Sequence, residues 1–427
     1  MNSQISFKLS PTIAFRQMAA WAERETYFAF YVTAIDQFEG GIGALEICEI
    51  EHSEGAFETL QAFQTQHSRE ICGYLGYDLK NDLEALESRN KDLIDFPEAL
   101  FFAPRFWVKF ENGEMLLRGD DIETLNKIKK EWIDVSLPET HSQGFGLRPD
   151  LAKADYLRAV QKLKGHLHRG DIYEVNYCIP FRGQAPSFDP LNSFMRLQEI
   201  TEAPFSVFVK LDHRYILSAS PERFLKKSGD KLISQPIKGT RRRGGDKVLD
   251  LYEAQQLLDD QKERSENVMI VDLVRNDLSR VARRNSVIVD RLFEIQSFKT
   301  VHHLVSTISC RIDDRFNAWD GIKACFPMGS MTGAPKIRAM QLIEEAENFK
   351  RGPYSGAFGW MGASGDFDFN VLIRTLFYDS RTGEIAMAVG SAITLGSDPE
   401  KEYAECLLKA EALLQTLQQS ASHVAAQ

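Results

Sequence analysis

Short apolar runs separated by turn residues dominate the first part of the chain. The runs "FAFYVTAI" and "FFAPRFWVKF" have the length and the aromatic content of strands, and "FETLQAFQTQ" between them is typical of a helix. From about residue 119 the chain becomes charged and polar. There "DDIETLNKIKKEW" predicts a surface helix, and "SLPETHSQGFGLRPD" is typical of a linker. The pattern therefore predicts a boundary between about residues 119 and 150.

The second part mixes strands and helices without regular alternation. "DIYEVNYCIPF", "FSVFVKL", "RYILSAS", "VHHLVSTISCRI", "GAFGWMGA", "FNVLIRTLFYD" and "EIAMAVGSAITL" predict strands. A long helical pattern runs from about residue 251 to 282, with Asn276 and Asp277 interrupting it, and another helix is predicted with Pro335 in its first turn. A last helix is predicted after Asp398, its expected N-cap. This mixture favours an α+β fold over a βαβ array.

Composition narrows the class of protein. The 427 residues are 43% hydrophobic and 26% charged, which is typical of a globular protein with a sizeable core. A net charge of −10 argues against a dedicated nucleic-acid binder. The six cysteines have no metal-type spacing, which favours reduced, mostly buried thiols. Since no long apolar run is present, we expect no signal peptide, no membrane span and a cytoplasmic location.

The stretch "SQPIKGTRRRGG" places Lys238 in a turn, one residue before a glycine. A glycine there allows backbone or a ligand to come close. A single lysine on a loop is more often a solvated charge. The local sequence leaves both interpretations open.

Two predicted helices carry pairs of glutamates at the same spacing. Glu263 and Glu266 are three residues apart, and so are Glu402 and Glu405, so each pair can share a helix face. If the helices converge, the four carboxylates need a cation between them. Oxygen ligands without histidine or cysteine suit Mg²⁺. Solvated faces are the alternative interpretation of either pair.

Nine motifs occur in an order that resembles the chorismate-utilising enzymes. They are "SPERF", "PIKGT", "ENVMIVDLVRND", "HHLVS", "MTGAPK", "YSGAFGW", "FNVLIRT", "VGSAIT" and "DPEKEYAECLLKA". Each motif alone is short enough to recur by chance, but nine in order are specific. The match covers roughly residues 150–412, with "GYLGYDL" a weaker match in the N-terminal region.

The resemblance implies an α+β fold of two large packed β-sheets flanked by helices, with the active site between them. Residues 1–130 would form an N-terminal region and residues 150–412 the chorismate-binding catalytic region, together one compact unit. The implied substrate is chorismate. The resemblance also implies that Glu263, Glu266, Glu402 and Glu405 hold Mg²⁺, which grips the ring carboxylate of the substrate.

Further roles follow from the resemblance, position by position. Glu222 matches the general acid beside the C4 hydroxyl of chorismate, where a buried carboxyl can stay protonated. Tyr354 and Arg374 match residues that bind the enolpyruvyl carboxylate, which suits a bidentate guanidinium. Gly390 and Ser391 would offer backbone N–H groups to the same carboxylate.

The remaining implied substrate-binding positions are Gly239, Thr240, His303, Thr332, Gly333 and Lys409. Thr332 and Gly333 are expected to open a helix, where free amides favour anions. Lys409 is expected near the metal-bound carboxylate. A structural role in the core is the alternative for His303.

Two positions separate the branches of this family. Isochorismate and salicylate synthases have a water-activating lysine where this chain has Glu174, and "PIKGT" with Lys238 is the aminodeoxychorismate synthase form. The implied reaction has a neutral Lys238 amine attack C2 while Glu222 protonates the leaving C4 hydroxyl, after which ammonia attacks C4 and expels the lysine. Desolvation and the cations Arg241 and Arg242 are expected to keep the amine deprotonated.

Three functions follow as hypotheses. The first is amination of chorismate at C4 to 4-amino-4-deoxychorismate, in the synthesis of para-aminobenzoate and folate. The second is the activity of anthranilate synthase component I, with Lys238 an atypical residue. The third is a non-catalytic scaffold for an amidotransferase. Because no nucleophile elbow with a cysteine and its partners is found, ammonia is expected from a separate glutamine amidotransferase chain or from solution.

Overall fold

The computed structural model describes residues 3–34, 36–135, 145–299 and 301–418. The helices in these ranges are α1 (Pro11–Ala22), α2 (Ala56–Gln66), α3 (Lys80–Leu83), α4 (Ile122–Ile133), α5 (Lys153–Arg169), α6 (Pro190–Thr201), α7 (Lys247–Asp259), α8 (Gln261–Ser279), α9 (Ala318–Cys325), α10 (Lys336–Ala346) and α11 (Pro399–Leu417). The strands are β1 (Ser3–Lys8), β2 (Tyr27–Ala34), β3 (Gln37–Ile50), β4 (Ile71–Leu75), β5 (Lys91–Asp92), β6 (Ala99–Glu111), β7 (Glu114–Gly119), β8 (Arg148–Pro149), β9 (Glu174–Gln184), β10 (Phe205–Leu211), β11 (Arg214–Ser220), β12 (Arg223–Ser228), β13 (Lys231–Gln235), β14 (Ile237–Arg242), β15 (Ile288–Ser297), β16 (Val301–Arg311), β17 (Gly333–Ala334), β18 (Phe349–Lys350), β19 (Ala357–Met361), β20 (Phe367–Val371), β21 (Thr375–Asp379) and β22 (Glu384–Thr394).

The long helical pattern after residue 247 forms two helices, α7 and α8. The break lies at Asp260, whose extended backbone ends α7 and whose side chain accepts hydrogen bonds from the amides of Lys262 and Glu263. The expected interruption at Asn276 and Asp277 is wrong. Both residues lie inside α8, where Asp277 is buried and pairs with Lys336 at 2.6 Å.

Two further expectations about element boundaries need correction. "FNVLIRTLFYD" is two strands, β20 and β21, because the backbone turns at Arg374, whose φ is +51°. Pro335 precedes α10 as its N-cap and does not lie in its first turn. The expected N-cap Asp398 is confirmed, since its side chain accepts hydrogen bonds from the amides of Glu400 and Lys401.

Twenty of these strands are linked through one hydrogen-bonded network whose pairs are antiparallel, and β5 and β18 form a small parallel pair. The long pair β9–β22 aligns Glu174 with Thr394 and Cys178 with Gly390. β16 contacts β13, β14 and β15, which places the "PIKGT" strand β14 beside the "HHLVS" strand. Helices pack against the network, and the α+β class is confirmed.

Two hydrophobic cores fill the molecule, and each contains residues from both the N-terminal and the catalytic region. Strand β2 pairs with β10, and Trp107 lies against Trp360 with ring centroids 5.9 Å apart. Most of the predicted linker falls in residues 136–144, outside the described residues. Among the described helices, none has the length and apolar content needed to cross a membrane.

Candidate active site

A cavity of about 850 Å³ lies between the strands and the helices α8 and α11. Most of the site residues predicted from the sequence line it, although they are distant in the chain. They are Glu222, Lys238, Gly239, Thr240, Glu263, Glu266, His303, Tyr354, Arg374, Gly390, Glu402, Glu405 and Lys409. A concave site with several convergent polar groups is the usual form of a ligand-binding or catalytic site.

Lys238 lies on β14 with its side chain buried and its ammonium Nζ 2.5 Å from Oε1 of Glu174. The following residue, Gly239, has a φ of +87°, where a side chain would be strained. A Cβ there would also lie 3.0 Å from Leu257 and 3.1 Å from Oε2 of Glu263. Glycine therefore lets the lysine strand come close to α8, and Lys238 is not a solvated surface charge.

The charge state of Lys238 differs from the expectation. Burial disfavours the ammonium, but the nearby carboxylates, Glu174 first and then Glu266, outweigh burial and raise the pKa of Lys238. The expectation that neighbouring arginines keep the Lys238 amine deprotonated is wrong. Arg241 and Arg242 form ion pairs of their own, with carboxylates on α7 and α11 at 2.8 and 2.6 Å.

Glu222 lies between β11 and β12 and is 5% exposed. Burial raises the pKa of Glu222 to about 7, although Ser330 opposes the rise by donating a hydrogen bond of 2.7 Å to its Oε1. A carboxyl group with this pKa can be protonated near neutral pH. Glu222 therefore has the property that a general acid needs.

The carboxylates of α8 face the cavity without full compensation. Burial raises the pKa of Glu266 to about 7, and one of its oxygens, Oε1, is buried without a hydrogen-bond partner in the described part of the chain. Burial also raises the pKa of Glu263, and the charge of Glu405 adds to this rise. The negative charges of the two helices therefore influence one another across the cavity.

The carboxylates of α11 are better compensated. Glu402 accepts hydrogen bonds from Ser391 at 2.9 Å and from Lys262 at 3.3 Å. Glu405 pairs with Lys409 at 2.8 Å, and although burial opposes it, this cation lowers the pKa of Glu405. Lys262, a residue of α8, thus forms ion pairs with Glu266 on its own helix and with Glu402 on α11.

The residues fit a magnesium ion by their chemistry. Four carboxylates supply only oxygen ligands, and Oε1 of Glu266, whose nearest cation is Lys262 at 3.8 Å, accepts no hydrogen bond from the described residues. Within the described residues, no three histidine, cysteine or acidic side chains are already gathered closely enough to hold a metal. Mg²⁺ keeps several waters and needs few protein ligands, which suits such an open arrangement.

The cavity is also lined by a positive charge next to a neutral histidine. Burial, and then the charge of Arg374, lower the pKa of His303 well below its usual value. Nη2 of Arg374 lies 3.5 Å from Nε2 of His303, and Oγ1 of Thr240 lies 2.9 Å from Nδ1 of the same imidazole. Because the guanidinium can only donate, the proton of the imidazole belongs on Nδ1. Burial lowers the pKa of Arg374 itself to about 10, so it stays charged at neutral pH.

Tyr354 and Gly390 lie on the same wall of the cavity. The buried hydroxyl of Tyr354 is 3.8 Å from Sγ of Cys178. A Cβ on Gly390 would lie 2.5 Å from the same sulfur and 2.6 Å from Oδ1 of Asn176. This close approach of β9 and β22 explains the glycine. The side chain of Ser391 points to Glu402, which connects this strand to the carboxylates of α11.

The sequence predicts Thr332 and Gly333 at the start of a helix, but neither residue lies there. Gly333 belongs to the short strand β17 and pairs with Val175, and α10 begins only at Lys336. The hydroxyl of Thr332 is buried and donates to the carbonyl of Met328 at 3.1 Å. The argument from free helix amides therefore fails here, because the strand pairing intervenes.

Three residues of the site were not predicted as site residues. Glu174 contacts Lys238, and Ser330 contacts Glu222. Lys262 forms ion pairs with a glutamate on each of the two acidic helices. Glu174 occupies the position where related branches carry a lysine, and Ser330 directly precedes "MTGAPK". Both positions can be singled out in the sequence, but only the fold shows that Glu174 contacts Lys238 and that Ser330 contacts Glu222.

The fold and the cavity define a class of protein. The structure resembles that of anthranilate synthase component I from Streptococcus pneumoniae, with a TM-score of 0.80 over 91% of this chain and 92% of that one, at 24% sequence identity. The sequence matches the family described as chorismate binding enzyme over residues 16–415. The chain belongs to this family.

Curated relatives cover most of the chain. Aminodeoxychorismate synthase component 1 from Bacillus subtilis is 33% identical over 82% of this chain and 77% of its own length. Anthranilate synthase component 1 from Thermus thermophilus is 34% identical over 82% of this chain and 77% of its own length. The family is therefore clear, and two activities within it have relatives at similar identity.

Proposed function

We propose that this protein is an aminodeoxychorismate synthase component 1, which aminates chorismate at C4 to give 4-amino-4-deoxychorismate. The observation that carries the proposal is the pairing of Lys238 and Glu222 in one cavity, a buried amine and a buried carboxyl with a pKa of about 7. A nucleophile and an acid facing the same space suit a substitution in which hydroxide must leave.

The proposed reaction has two displacement steps. The neutral amine of Lys238 forms a bond to C2 of chorismate, both ring double bonds shift, and the C4–O bond breaks as Glu222 gives its proton to the leaving hydroxyl. Ammonia then forms a bond to C4, both double bonds shift back, and the C2–N bond to Lys238 breaks. The amine therefore ends at C4, and the enolpyruvyl ether is retained.

The rest of the cavity would hold the substrate in place. Arg374 and Tyr354 line the cavity and would bind the enolpyruvyl carboxylate, with His303 beside the guanidinium and Thr240 in contact with His303. Glu263, Glu266, Glu402 and Glu405 would hold Mg²⁺, which when bound supplies positive charge for the ring carboxylate. The Lys409 ammonium lies beside Glu405 and the carbonyl of Gly390, next to this end of the cavity.

Ammonia would come from a separate glutamine amidotransferase subunit. The relatives named component 1 support this proposal, since the name implies a second component. Free ammonium at high concentration would replace that subunit in a test.

Product identification tests the proposal. The purified chain is given chorismate, Mg²⁺ and ammonium, and we expect an aminated product that retains its pyruvyl group by mass spectrometry. Addition of a lyase that removes pyruvate should then yield 4-aminobenzoate. Direct accumulation of fluorescent anthranilate, with no 4-aminobenzoate after lyase addition, would contradict the proposal.

Anthranilate synthesis is the second candidate, favoured by the 34% identity to the Thermus thermophilus enzyme. In that reaction the amine enters at C2 and pyruvate is lost. A lysine bonded to C2 would block that entry, and this is why Lys238 supports amination at C4. The same product analysis separates the two candidates.

A further inference from the structure

The carboxylate of Glu174 is placed against the Lys238 amine by rigid backbone. Glu174 is the first residue of β9, where it pairs with Thr394 of β22 and Ala334 of β17. Its Oε1 lies 2.5 Å from Nζ of Lys238, a short distance for a charge-assisted hydrogen bond. Because strands hold it on both sides, Glu174 keeps this position without help from a flexible loop.

The Glu174 carboxylate is buried and incompletely satisfied. Glu174 is fully buried, and its second oxygen, Oε2, has no hydrogen-bond partner among the described residues. A buried carboxylate with a free oxygen is costly for folding, since desolvation is only partly compensated. The arrangement is therefore poor as a purely structural ion pair, and its oxygens remain available to take a proton.

Other charged groups around Lys238 are less direct. Glu222 precedes β12, Glu266 and Glu263 lie on α8, and Glu405 lies on α11, and each interacts with the lysine electrostatically. None of these four carboxylates lies within ion-pair distance of Nζ among the contacts of the described residues. Glu174 is thus the acceptor in hydrogen-bonding contact.

We propose that Glu174 is a further catalytic residue, the base that takes the proton from the Lys238 ammonium and makes the amine nucleophilic. The inference rests on the proposed function, since it concerns the lysine step of that reaction. The short hydrogen bond lets the proton move from Nζ to Oε1 without a solvent molecule.

The proton and electrons balance in each step. Before attack, the ammonium of Lys238 and the carboxylate of Glu174 become a neutral amine and a neutral carboxyl. The lone pair freed on Nζ forms the bond to C2, and the C4–O bonding pair leaves with the hydroxyl that Glu222 protonates. When ammonia later expels the lysine, the C2–N pair returns to Nζ, and the carboxyl of Glu174 gives its proton back to the amine. The nitrogen now bonded to C4 gives a proton to the Glu222 carboxylate, which restores the acid.

Trapping of the covalent adduct tests this role. Enzyme, Mg²⁺ and chorismate are mixed without ammonia and quenched in denaturant at successive times, and the mass of the peptide containing Lys238 is followed. In Glu174→Gln, which keeps the size of the side chain, we expect the adduct to form at least ~10-fold more slowly at about pH 7. The conservative Glu174→Asp should recover part of the rate.

The pH dependence separates a base from a structural support. At each pH, the rate of adduct formation in Glu174→Gln is divided by the rate in the wild type. The ratio is used because the titration of Glu222 affects both enzymes alike and so cancels. Without Glu174 the lysine must lose its proton to solvent, so the ratio should rise toward one between about pH 7 and about pH 9.5. A ratio that stays low at every pH would show a structural role and overturn the proposal, as would a ratio within about twofold of one at neutral pH.

Glu23→Gln is the matched control. Glu23 is another carboxylate close to a lysine, with Lys210 at 3.5 Å and a hydrogen bond from Tyr215. One of its buried oxygens has no hydrogen-bond partner among the residues that the structure describes. We expect its adduct formation to match that of the wild type. If Glu174→Gln does not fold, as judged by circular dichroism, Glu174→Ala, which also removes the carboxylate, is measured with the same criteria. Absence of any adduct in the wild type would instead contradict the lysine step of the proposed function.

Discussion

Glu222 is a buried carboxyl that accepts a hydrogen bond from a hydroxyl, and its protonation depends on burial, on its hydrogen bonds and on nearby cations. Burial favours the neutral acid, whereas the hydrogen bond from Ser330 favours the carboxylate. An acid with a pKa of about 7 is protonated below that pH and loses its proton above it. We therefore expect the rate of the reaction to fall as the pH rises through about 7.

Ser330→Ala should move this alkaline limb to higher pH. The variant removes a hydrogen bond to the charged form, so the pKa of Glu222 rises, by about one unit if the bond contributes ~1.4 kcal/mol. The measurement is the pH profile of kcat/KM for chorismate. Ser306→Ala, which removes another buried hydroxyl whose hydrogen bond goes to Asn267, is the control and should leave the limb in place. A limb that moves to lower pH, or does not move, would contradict the explanation.

At the scale of elements, helices α8 and α11 bring two glutamate pairs to one cavity. Their spacing of three residues puts both members of a pair on one face, and the caps Asp260 and Asp398 fix where each helix begins. Burial raises the pKa of Glu266 to about 7, although the charges of Lys238 and Lys262 oppose the rise. A divalent cation beside Glu266 would favour its charged form.

Glu266→Gln should weaken Mg²⁺ binding at least ~10-fold, because an amide oxygen replaces a charged ligand. Isothermal titration of Mg²⁺ in the presence of chorismate measures this directly, and saturating ammonium should not restore turnover. Asp272→Asn serves as the control, since Asp272 lies on the same helix with its side chain 75% exposed. Unchanged Mg²⁺ affinity in Glu266→Gln, or full activity in EDTA, would argue against this metal site.

For the whole molecule, the two cores and the strand pair β2–β10 connect the N-terminal and catalytic regions. Each of the two hydrophobic cores contains side chains from both regions. We therefore propose that the two regions unfold as one cooperative unit.

Equilibrium unfolding in urea tests this cooperativity. Trp21 and Trp107 report on the N-terminal region, and Trp319 and Trp360 on the catalytic region. Fluorescence of variants that retain only one group of tryptophans should give the same midpoint as far-UV circular dichroism. Two separated transitions would show that the regions are independent domains.

Local chemistry in the sequence was sufficient for several features. The mixture of strand and helix patterns indicated the α+β class, the spacing of Glu263 and Glu266 placed both on one helix face, and Asp398 marked a helix start. These features depend on residues within a few positions of one another, and their physical causes are local: hydrophobic periodicity, capping and backbone freedom.

Tertiary structure decided the rest, because electrostatics and strand pairing act between distant residues. Glu174 lies 64 residues before Lys238, yet strand pairing brings them into contact, so the lysine faces carboxylates and not the adjacent arginines. Pairing with β9 likewise places Gly333 in a strand and not at a helix start. The sequence therefore determined which chemical groups are present and their local geometry, whereas the fold determined their partners and charge states.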